Sequence, residues 1–222
     1  RIGSLGNKTP IALDEIRFTR KALQPHEFLL KTAILGATMV KGNPSNRDSW
    51  TIPTNWENGQ IPGPNENVII GEGLTAQVEK NPPAPYSGSL ILRKNSQLVL
   101  WESNNLSALP MAPGEIVMHE NSCLILSTAE EVNFGPIELI EDASIYGGAS
   151  TNGHDGIRKF NGAIKGSGKL IFNGVNRNQF RLENANTFSG GLMAHSTQNE
   201  PFYIVAAADA SFGTGDVHLK EN

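Results

Sequence analysis

Apolar and polar residues alternate along this chain in short runs, and the runs return in pairs. Leu90-Ile91-Leu92-Arg93-Lys94-Asn95-Ser96-Gln97-Leu98-Val99-Leu100 is answered by Ile116-Val117-Met118-His119-Glu120-Asn121-Ser122-Cys123-Leu124-Ile125-Leu126. Both read apolar-x-apolar, two polar residues, Asn-Ser, then x-apolar-x-apolar. A third copy, Ile137-Glu138-Leu139-Ile140-Glu141-Asp142-Ala143-Ser144-Ile145, keeps the phase with Asp in place of Asn. A fourth runs from Ala163 to Phe172, a looser first copy spans Val68 to Val78, and another begins at Val217. A period of two is that of a strand with one face buried, so each unit reads as two short strands joined at a polar corner.

Leu98, Leu124, Ile145 and Leu170 take equivalent places in these copies, 26, 21 and 25 positions apart. One such unit cannot bury its apolar side alone. Stacking it on the next gives each apolar side chain a like neighbour and each backbone donor an acceptor. Uneven spacing is expected if one side of every rung is a loop of free length. The pattern therefore predicts an all-β fold, a right-handed parallel β-helix of about five rungs. Asn95, Asn121, Asp142 and Asn222 fall at one corner. There an Asn or Asp tolerates a left-handed backbone and can stack as a polar ladder. A β-sandwich of meandering strands also shows alternation and regular turns, but it offers no reason for a recurring Asn-Ser corner.

Both ends depart from the repeat. Ala12-Leu13-Asp14-Glu15-Ile16-Arg17-Phe18-Thr19 alternates as a strand, and Arg20 to Leu29 reads as a turn and a short helix. Trp50, Trp56 and the turn Ile61-Pro62-Gly63-Pro64 precede the first copy. They suit a cap over the first rung, whose open apolar end and unpaired edge invite aggregation. This divides the chain into a tail at 1–32, a linker and Trp/Pro-rich cap at 33–66, and rungs at 67–222. The last rung stops in its middle, and Arg1 to Gly6 lack the apolar stretch of a signal peptide. Both ends read as cuts from a longer exported chain.

Two stretches carry family resemblances. The tail, with its Ile-Arg-Phe strand followed by Arg20-Lys21-Ala22-Leu23-Gln24-Pro25-His26-Glu27-Phe28, resembles the closing strand and turn of laminin-G or concanavalin-A-like jelly rolls. Asn55-Trp56-Glu57-Asn58-Gly59 through Val68-Ile69-Ile70 is similar to the lead-in of large exported bacterial β-helix proteins. Gly166-Ser167-Gly168-Lys169-Leu170, Asn186-Thr187-Phe188-Ser189-Gly190-Gly191 and Phe212-Gly213-Thr214-Gly215-Asp216-Val217 follow. In that order they resemble the autotransporter-associated β-strand repeat. The resemblance implies a secreted or cell-surface bacterial protein.

Charge removes one class of partner. The net charge is −4, and a duplex binder needs a basic face, so nucleic acid is not expected. Residues 1–32 carry six Lys/Arg against three Asp/Glu, the remainder twelve against nineteen. No apolar run is long enough to span a bilayer. The single cysteine, Cys123, excludes an internal disulfide framework and a cysteine-based zinc site.

Candidate chemistry is sparse. The densest cluster is His154-Asp155-Gly156-Ile157-Arg158-Lys159, expected in a loop, where an acid, a base and two cations meet. Glu130, Glu131, Glu138, Glu141 and Asp142 form a carboxylate-rich stretch that reads as a charged outer face. Asp14-Glu15 and Asn65-Glu66-Asn67 offer oxygen donors without the acidic repeat that calcium needs. Trp101, Phe134, Tyr146, Phe160, Phe172 and Phe180 line either a sugar groove or the core. No catalytic, cofactor-binding or metal-ligating residue is assigned, and no cofactor is expected.

The expectation is a non-enzymatic structural segment, the stalk of an adhesin or a subunit of an extracellular filament or sheath. In the filament version residues 1–20 of one copy pair with the next, a contact that does not close. Two alternatives stay open. One is a carbohydrate-binding module that takes surface glycans; the other is a polysaccharide lyase or glycosidase built on a β-helix.

Overall fold

The computed structural model describes residues 36–42, 49–78, 88–101, 114–127, 132–148, 157–175, 178–196 and 202–220. The chain forms two compact units, Arg1–Ile34 and Leu35–Asn222. The expected strand, turn and helix of the tail lie outside the described residues, as do Asn222, His154 and Asp155. The second unit is a parallel β-solenoid of about five turns.

Its described strands lie in three sheets. The first holds β1 (Ala37–Met39), β2 (Val68–Ile70), β4 (Leu90–Leu92), β6 (Ile116–Met118), β9 (Ile137–Leu139) and β12 (Ile164–Gly166). The second holds β3 (Thr75–Val78), β5 (Gln97–Trp101), β7 (Cys123–Ser127), β10 (Ala143–Gly147), β13 (Leu170–Gly174), β15 (Leu192–Ser196) and β17 (Val217–Lys220). The third holds β8 (Val132–Phe134), β11 (Ile157–Phe160), β14 (Gln179–Leu182) and β16 (Tyr203–Ala206). Neighbours in each sheet run parallel and come from successive rungs. A parallel pair needs a long crossover between its strands, and here the rest of each rung supplies it.

Alternation puts one side chain in and the next out. Leu98, Leu124, Ile145 and Phe172 stack inward in register across the second sheet, each buried. The fourth copy corrects the sequence alignment. Leu170 stands opposite Ala143, and the partner of Ile145 is Phe172. An even slip leaves every residue on its own face, so alternation is blind to it. Ala143 is also too small to announce itself as an inward position.

The third sheet corrects the two-strand unit. Among the described residues the rungs from β8 to β16 show a third side, and its inward positions bring aromatics. Phe134 stacks on Phe160 at 5.2 Å and Phe172 on Phe180 at 4.6 Å. Phe160 also meets Phe172 at 5.9 Å, so the ladder ties the second and third sheets together. Pairs of this geometry add about 0.5–1.5 kcal/mol beyond the area they bury. Space for the rings comes from absent side chains. A Cβ on Gly147 would sit 2.8 Å from Cζ of Phe180, and one on Gly174 2.3 Å from Cγ of Phe202.

The corner between the first two sheets recurs. Ser96 N–H donates to Arg93 O and Ser122 N–H to His119 O, each closing a tight turn. Gly73, Asn95 and Asn121 occupy the left-handed region there, with φ of 69°, 56° and 56°. Asn95 N–H donates to Glu120 O of the next rung and Asn121 N–H to Asp142 O, so the corner ladder runs through backbone groups. Asp142 keeps the corner without the left-handed φ. Its Oδ1 accepts from Lys169 N–H at 2.9 Å.

Trp50 and Trp56 are both buried, at 0% and 2% exposure, with ring centroids 5.1 Å apart. Trp56 Nε1 donates to Trp50 O. Glu57 N–H donates to Thr38 O and Val40 N–H to Asn55 O, so this segment pairs antiparallel with β1 and occupies its outer edge. Ser49 Oγ accepts from Gln77 N–H on β3. A free sheet edge is a template for further pairing, and these contacts occupy it.

Candidate functional site

The solvent side of the rungs carries the titratable groups, and they meet across rungs. Lys94 pairs with Glu120. Lys165 reaches Glu115 at 2.9 Å and Glu138 at 3.9 Å, and Lys169 lies 3.7 Å from Asp142. Within a single rung, Arg181 on β14 bonds Glu183 at 2.9 Å. The hydrogen bond to Glu120 raises the Lys94 pKa, and that to Glu115 raises Lys165. Exposed pairs of this kind are screened by solvent and contribute little to stability.

His119 sits half-buried at the corner, its Nδ1 3.4 Å from Glu141 Oε2. Burial lowers its pKa below the ordinary 6.5; Glu141 pulls upward and Arg93 downward. Cys123 stands outward opposite Gln97. Burial raises its thiol pKa, which disfavours the reactive thiolate. Glu66 Oε2 accepts from Gly63 N–H and Asn67 Oδ1 from Ser89 N–H. These acceptors serve the fold. Among the described residues no three or more His, Cys, Asp or Glu converge to hold a metal ion.

The loop cluster singled out in the sequence changes character. Arg158 and Lys159 belong to strand β11, opposite Phe180 and Arg181 of β14. Arg158 points inward and is fully buried. It donates from Nη1 to Asn178 Oδ1 at 2.5 Å and from Nη2 to Leu126 O at 3.0 Å. Asn178, 1% exposed, donates in turn to the carbonyls of Gly147 and Gly148. Desolvation lowers the guanidinium pKa to about 10, which leaves it charged at neutral pH. The network links β7, β10, β11 and the start of β14 inside the solenoid, out of reach of a macromolecular substrate.

Sequence reasoning missed this network. Asn178 lies in the stretch between Gly174 and Asn186, where the repeat offers no template. The available signal was the alternation Ile157-Arg158-Lys159-Phe160, which makes Arg158 a partner of Phe160 on the inward side. Four of the six aromatics considered for a sugar groove, Phe134, Phe160, Phe172 and Phe180, are core residues. Trp101 and Tyr146 remain on the outward side of the second sheet, partly exposed, with Trp101 Nε1 donating to Gln77 Oε1.

Among the described residues no helix is long and apolar enough to cross a membrane. No family model, curated protein or solved structure matches the chain.

Proposed function

We propose that the chain is a non-enzymatic structural segment of an extracellular or cell-surface bacterial protein, a rigid spacer of the kind found in an adhesin stalk or a filament. One observation carries the reading: the polar groups of the rungs hold neighbouring rungs together. Lys94, Lys165 and Lys169 each bond a carboxylate of a different rung, and the best candidate for chemistry, Arg158, is buried among carbonyls and an amide. A stacked array in which each rung contacts its neighbours transmits load along its axis.

Electron microscopy of the native material, with the mass of the full chain measured alongside, tests this. Rods or fibres along which the segment recurs support it. Release of product from polysaccharides by the purified chain would overturn it.

Partly exposed Trp101 and Tyr146, with Tyr203 at 48% exposure, favour a second reading as a carbohydrate-binding surface. A glycan array distinguishes the two. Binding that Tyr203→Ala abolishes without changing stability selects the second.

A further inference from the structure

We draw no further inference here: the strongest candidate, the open edge of the last described rung, where Val217, Leu219 and Tyr203 are exposed on β17 and β16, carries nothing because nothing in the structure shows what covers it.

Discussion

Asn121 holds its corner at a φ of 56°, a region that strains most side chains. Asn tolerates it and Gly adopts it freely, whereas a Cβ without a polar head costs roughly 1 kcal/mol there. Asn121→Ala is therefore expected to lower the unfolding free energy measured in urea by that amount, and Asn121→Gly to leave it nearly unchanged. His119 adds a pH dependence. Its folded pKa lies below 6.5, so the fold favours the neutral ring. That contribution is complete above the unfolded value and is lost as pH falls through the folded one. Urea midpoints of the wild type and His119→Gln at pH 7.5 and pH 5 check it. The wild type should lose ground to the variant at the lower pH; a gain would mean that Glu141 outweighs desolvation.

At the scale of elements, the two-strand alternation from Leu90 to Ile145 was legible because Leu, Ile and Met mark the inward face on every second residue. The burial of Trp50 and Trp56 beside β1 follows from their size, because two Trp next to a Pro-rich turn have few other places to go in a chain of short strands. The third sheet was not legible. Its strand β11 places Arg158 at an inward position, and a cation there breaks the apolar signature that identified the other sheets. A buried charge is tolerated when hydrogen bonds offset its desolvation, and Asn178, far along the chain, supplies one acceptor beside Leu126 O. Arg158→Ala leaves Asn178 Oδ1 and Leu126 O without these donors and is expected to cost about 3 kcal/mol or more. Arg158→Met keeps most of the volume and should cost distinctly less. Chemical denaturation of both variants measures the difference. Equal losses would mean that the hydrogen bonds both variants lose, and not the volume, decide the cost at this position.

Across the whole solenoid, stability comes from repetition. Each rung lends its neighbours an apolar column, a row of backbone hydrogen bonds and a few charge pairs, and no single contact dominates. Spacer function and stacked architecture share one geometric requirement, that successive strands of a sheet advance in equal steps. Spin labels placed in pairs on outward positions of the second sheet, in a Cys123→Ser background, measure those steps by pulsed electron paramagnetic resonance. Thr75 is joined to Ile171, Met193 and His218 through four, five and six strand-to-strand steps of the sheet order. At about 4.8 Å per step, backbone separations of roughly 19, 24 and 29 Å follow. Label distances that lengthen in equal increments along this series are the predicted result. Distances that fail to grow from Ile171 to His218, as in strands folded back face to face, would contradict the account.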